Sequence, residues 1–185
     1  MRNIVYADCM DYMPTISEKS VDLIITDPPY EVNTSPAGNK TCLKSIHKIE
    51  TGLDEIKKGF NVGTIFSEFQ RILKKINIFC FCSNNQIPKI MNWGIERNYF
   101  TTLLVWHKTN STPFSNGVWR PDIEFCVHIR EPGAYFQGDS FLKQKVYTSP
   151  TVRSMTGHPT EKPVELIKKY IEIGSKKRRF NPRCF

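Results

Sequence analysis

No apolar run in this chain is long enough to cross a membrane, and no basic-then-apolar leader opens it. The protein is therefore expected in the cytoplasm, with no membrane partner. The six cysteines, at 9, 42, 80, 82, 126 and 184, form no C-x-x-C pair. That argues for reduced, buried thiols over disulfides or zinc ligands. The four histidines, at 47, 107, 128 and 158, are scattered and outline no metal cluster. No two glycines stand in a G-x-G, and there is neither an internal repeat nor a low-complexity tract.

Acid is scarce at one end. The last ten residues hold Lys176, Lys177, Arg178, Arg179 and Arg183 without a carboxylate. Subtracting those five charges from the net +8 leaves a mildly basic body of +3. The charge is compatible with a nucleic-acid partner, and a solvated basic tail is the plain alternative. A chain of 185 residues with 39% apolar content suits one domain with its own core.

Strand-like and helix-like stretches alternate, which is the pattern of an α/β fold. Strands are expected over Asn3 to Ala7, Val21 to Thr26, Ile76 to Cys82 and Thr101 to Trp106. Ile123, Phe125, Val127 and Ile129 alternate with Glu124, Cys126 and His128, as in a half-buried strand. Helices are expected over Val62 to Leu73, Asn85 to Glu96 and Pro163 to Ile173, the last with proline in its first turn. Residues 31–60 read as a long polar loop.

The richest chemistry lies in Asp27-Pro28-Pro29-Tyr30, directly after the apolar run Val21 to Thr26. In open α/β sheets, ligands bind beyond the carboxyl ends of strands. A carboxylate accepts one N–H of an exocyclic amine, a proline carbonyl accepts another, and an aromatic face stacks on a flat base. The plain alternative is a proline-rich turn with a tyrosine packed beside it.

Further motifs follow in order. They are Phe79-Cys80-Phe81-Cys82-Ser83-Asn84, Trp106-His107-Lys108-Thr109-Asn110, Ile123-Glu124-Phe125-Cys126-Val127 with Gly133, and His158-Pro159-Thr160-Glu161-Lys162-Pro163. Together with Asp27 to Tyr30, their order resembles the amino-group DNA methyltransferases of the permuted β type, over about residues 3–177. That family uses S-adenosylmethionine to methylate adenine N6 or cytosine N4. The resemblance implies a Rossmann-like methyltransferase sheet.

By that resemblance, Asp27 and the Pro28 carbonyl hold the two N–H groups of a flipped base, Pro29 stiffens the loop, and Tyr30 stacks. An Asp in the first position of this motif goes mainly with adenine, and cytosine N4 stays open. Asp8 reads as a helix N-cap and, by resemblance, also contacts the cofactor adenine. His158, Thr160 and Lys162 precede a helix N-terminus, and the family uses that segment near the methionine end of the cofactor. Trp106 and Lys108 receive no catalytic role. Trp119 and Arg120 are candidates for DNA contact or for simple packing.

The family continues with a strand and a glycine-rich turn that carries most of the cofactor site. Here Ile173-Gly174-Ser175-Lys176-Lys177 is followed by Arg178 to Phe185 instead. The expectation is a catalytic domain over residues 1–177, incomplete at its C-terminus, with an aberrant tail over 178–185. Codons for Arg178 to Phe185 exist that, read one base later, encode Gly-Asp-Leu-Ile-Leu-Asp-Ala, so a frameshift is one explanation. DNA is the expected partner, with a complementing chain or a homo-oligomer as further candidates. The alternative function is a DNA-binding subunit or remnant without a complete cofactor site. Methylation of RNA or of a protein amide is a third reading.

Overall fold

The computed structural model describes residues 4–30, 60–111, 119–151 and 161–176. Five strands form one mixed sheet: β1 (Ile24–Thr26), β2 (Asn77–Cys82), β3 (Phe100–Lys108), β4 (Ile123–Arg130) and β5 (Val146–Ser149). Their spatial order is β1-β2-β4-β3-β5. β1 runs parallel to β2, β4 runs antiparallel to both β2 and β3, and β5 lies parallel to β3. Among the described residues, β1 pairs with β2 alone and so lies at an edge.

Side chains alternate across a strand, so β2 feeds two cores. Ile78, Cys80 and Cys82 enter one with Val127 and Ile129 of β4. That face is covered by α2 (Val62–Ile72) and α3 (Ile87–Ile95), which supply Phe66, Phe69, Ile72, Ile90 and Trp93. Phe79 and Phe81 enter the other with Trp106 and Cys126, beneath Leu166, Tyr170 and Ile173 of α4 (Val164–Gly174). All of β2 is buried, as its unbroken apolar run requires.

Local signals explain the helix ends. Asn61 caps α2 by accepting from Thr64 N at 3.1 Å. Pro88 sits in the first turn of α3, where its missing N–H is harmless. Pro163 immediately precedes α4, and Gly174 ends it against Leu23 and Phe79. A Cβ on Gly174 would lie 2.8 Å from Leu23 Cδ1, so only glycine fits there without displacement.

The sheet departs from the sequence reading in five places. Residues 4–7 form no strand, and Ile4 and Tyr6 are fully exposed. A β-prone run becomes a strand only where a neighbouring edge takes its hydrogen bonds. The strand expected from Val21 shortens to Ile24–Thr26, while Val21 makes an isolated bridge to Leu73. β3 is longer than expected, and β5 was not foreseen. β4 is buried on both faces, including Cys126 and His128, because α4 covers the side that alternation assigned to solvent.

Cys80, Cys82 and Cys126 are free and buried, and Cys9 is free and exposed. No helix among the described residues is long and apolar enough to cross a membrane. The loop expected over 31–60, save its last residue, and the tail expected over 178–185 lie outside the described residues.

Candidate functional site

Thr26, the last residue of β1, pairs with Cys80, so Asp27 leaves the sheet beside the carboxyl end of parallel β2. Such an end is where backbone groups fall free of the ladder and side chains converge on a ligand. Pro28 is buried and Pro29 exposed. The loop is held by Gln86, a fully buried amide at the entry to α3. Gln86 Nε2 donates to the Pro29 carbonyl at 2.9 Å. Gln86 Oε1 accepts from Ser83 N at 2.9 Å and from Ser83 Oγ at 3.0 Å. A buried amide with both ends satisfied fixes the proline loop to the β2–α3 turn.

Four charged groups meet beside this loop. Lys162 Nζ lies 2.9 Å from Asp27 Oδ2 and 2.9 Å from Glu124 Oε2. Lys108 Nζ lies 2.6 Å from Glu124 Oε1. Tyr30 Oη donates to Glu124 Oε2 across a long 3.4 Å. The Lys162 ammonium also stands over two rings, 5.3 Å from the Tyr30 centroid and 5.2 Å from that of Phe81. The Lys162 side chain is 8% exposed, against 14% for Glu124 and 38% for Asp27. Two carboxylates and two ammoniums balance in charge, and Asp27 is the member that reaches solvent.

Electrostatics follow from this packing. Burial pushes the Glu124 carboxyl up, but its bonds to Lys108 and Lys162 outweigh that and hold it below the ordinary range. Burial, then the charges of Asp27 and Glu124, push the Tyr30 phenol far up, so it stays a neutral donor. Burial raises the Cys82 thiol to about 12, which leaves it without nucleophilic character. The arrangement offers a partly exposed carboxylate and an aromatic ring on a loop tied to the β2–α3 turn. It suits recognition of a flat amine-bearing ligand by hydrogen bonding and stacking.

Of the residues singled out from sequence, Asp27, Tyr30 and Lys162 come together, with Pro28 and Pro29 between the first two. Asp8 caps α1 (Cys9–Tyr12), accepting from Met10 N at 2.7 Å. No hydrogen bond or ion pair among the described residues joins Asp8 to the charged cluster. Val5, Ala7, Cys9 and Tyr12 line an open cleft of about 280 Å³ next to that carboxylate in the chain. His158 and Thr160 lie outside the described residues. Trp119 is 96% exposed, and Arg120 is tied to Ser111.

Sequence reasoning missed Gln86, Glu124 and Lys108. A charged residue at a polar position of an alternating strand reads as solvent-facing. Only the docking of the Lys162 segment reveals that Glu124 is enclosed. Lys108 stood in a recognised segment and was assigned no role. Its signal was the need of a half-buried lysine, two residues after buried Trp106, for a nearby counter-charge.

Comparison with known proteins bears on the family and the fold. The chain is 24% identical to the Type II methyltransferase M2.MboI of Moraxella bovis over 195 aligned residues, covering 95% of this chain and 71% of that protein. Its fold is similar to the crystal structure of the M1.HpyAVI–SAM complex, with a TM-score of 0.62 at 20% identity, covering 93% of this chain and 76% of the other. A second M1.HpyAVI crystal structure gives a TM-score of 0.57 at 18% identity, covering 93% and 75%. The family model described as DNA methylase, of the N6/N4 type, matches residues 21–180, and the chain belongs to that DNA methylase family.

Proposed function

We propose that this chain methylates the exocyclic amine of a flipped base in DNA, with S-adenosylmethionine as methyl donor and adenine N6 as the favoured target. The observation that carries the reading is the Asp27 carboxylate, anchored to Lys162 and still partly exposed, on a loop locked by Gln86 at the end of β1. Asp27 accepts one N–H of the amine and the Pro28 carbonyl accepts the other. Holding both N–H groups favours a pyramidal nitrogen whose lone pair points away from them. Tyr30, kept neutral, stacks on the ring and excludes water from one face. When bound, S-adenosylmethionine supplies a methyl group on an electron-poor sulfur.

The residues present fit that donor in part. Asp8, beside the cleft of Val5, Ala7, Cys9 and Tyr12, offers a carboxylate to the polar groups of a nucleoside. The crystal structure of the M1.HpyAVI–SAM complex supports the same donor here. His158 and Thr160 are proposed near its methionine end on the resemblance alone.

The test is methyl transfer to unmethylated genomic DNA by the wild-type chain, Asp27→Ala and Tyr30→Ala. Removing an acceptor of this kind is expected to cost about a hundredfold in rate. Equal signal from all three would sink the assignment. Nucleoside analysis of the product then separates N6-methyladenine from N4-methylcytosine. The second reading is a DNA-binding subunit without catalysis. Saturable S-adenosylmethionine binding in calorimetry, weakened by Asp8→Ala, decides against it.

A further inference from the structure

We propose that Lys162 serves the target base and not the cofactor: it is a positioning residue that anchors the Asp27 carboxylate, and Glu124, clamped by Lys108, holds it in place. This inference rests on reading the Asp27 loop as a base site. It departs from the role that the motif around Lys162 implies.

The first argument is burial. An ammonium 8% exposed must be paired, because a lone charge in such a place is costly. Lys162 meets that need twice over, with Asp27 and Glu124 each at 2.9 Å. The rings of Tyr30 and Phe81 add two electron-rich faces.

The second argument is charge balance. Asp27, Glu124, Lys108 and Lys162 together carry no net charge. Lys162 already divides its charge between two carboxylates, and the carboxylate at the methionine end of a cofactor brings its own α-ammonium as partner, so neither needs the other. An amine N–H adds no charge. A carboxylate has about four acceptor positions, so one ammonium on Oδ2 leaves room for an incoming N–H.

The third argument is geometry. Glu124 lies on β4 opposite Trp106 of β3, and Lys108 ends β3 with its own N–H bonded to the Asp122 carbonyl at 2.7 Å. Two strands therefore fix Glu124, and Glu124 fixes Lys162. Asp27, on a loop, inherits its position from the sheet.

The experiment uses the full chain with lysine ammonium groups labelled with ¹⁵N. Lys162→Met assigns the Lys162 signal, and calorimetry measures S-adenosylmethionine binding to both proteins. A slowly exchanging Lys162 ammonium signal is expected. It should shift with a single-stranded oligonucleotide containing adenine and stay still with oligothymidylate, whose base has no exocyclic amine. Glu124→Gln should abolish its protection from exchange. The cofactor Kd of Lys162→Met should lie within about threefold of wild type. A Kd weakened beyond that overturns the proposal. So does an absent protected signal, protection that survives Glu124→Gln, or a signal that answers both oligonucleotides equally or neither. A wild-type chain that binds no S-adenosylmethionine refutes the function proposed above and leaves the oligonucleotide arm to decide the role of Lys162.

Discussion

Acidification acts on this fold through a buried imidazole. His128 of β4 is 5% exposed, stacked at 4.0 Å on the Phe79 ring, and its Nε2 lies 3.0 Å from Asn77 Oδ1. Asn77 Nδ2 donates to the carbonyls of Tyr135 and Gly174, both at 2.9 Å. Its oxygen must therefore be the atom that faces His128, so Nε2 carries the proton and donates. A second proton would bring a cation into this aromatic stack. Burial first, and the charge of Arg130 second, lower the imidazole to about 3.

The unfolded imidazole titrates near about 6.5. Because the folded value is lower, the unfolded chain takes the proton first. The stability contributed by neutral His128 is fully present above the unfolded value and is lost as pH falls towards the folded one. Between about pH 7 and about pH 5, the unfolded imidazole becomes almost fully protonated while the folded one stays neutral. The linkage gives a loss of about 2 kcal/mol over that interval. Urea unfolding at both pH values measures it. His128→Gln, whose amide can still donate to Asn77 but does not titrate, should lose about 2 kcal/mol less than wild type over the same interval. An identical loss in both proteins would refute the reasoning.

Gly174→Ala places a Cβ 2.8 Å from Leu23 Cδ1 and 3.2 Å from Phe79 Cε2, and is expected to cost about 1–3 kcal/mol in chemical denaturation. Glu124→Ala strands Lys108, whose side chain is 15% exposed, leaves Lys162 with Asp27 alone, and is expected to cost about 3 kcal/mol near neutral pH. Glu124 titrates below its ordinary value in the fold, so its contribution is present above the unfolded carboxyl value and fades as pH falls through the folded one. The wild-type and Glu124→Ala stabilities should therefore converge in acid, as denaturation at a series of pH values will report.

Much of the architecture was legible because its signals are local. The apolar run of β2 announced a buried strand, and α2 followed the spacing of Phe66, Phe69 and Ile72. Asp8 capped the helix that begins at Cys9, as a short polar side chain before a helix does. The first expected strand failed because Ile4 to Tyr6 carry β propensity but pair with no strand among the described residues. β5 was overlooked because four residues give too short a pattern; its place depends on the free edge of β3.

The same division runs through the site. The order of residues along the chain already determined the Asp27–Tyr30 motif, its delivery by a strand and the family to which it belongs, since these are written in neighbouring positions. Which charges surround the motif was decided only by tertiary structure. Tyr30 and Glu124 are 94 residues apart, and Lys162 reaches both Asp27 and Glu124 from the segment before α4. A residue's type sets what it can bond. The packing of helix on sheet decides which charges lose their water and must find one another.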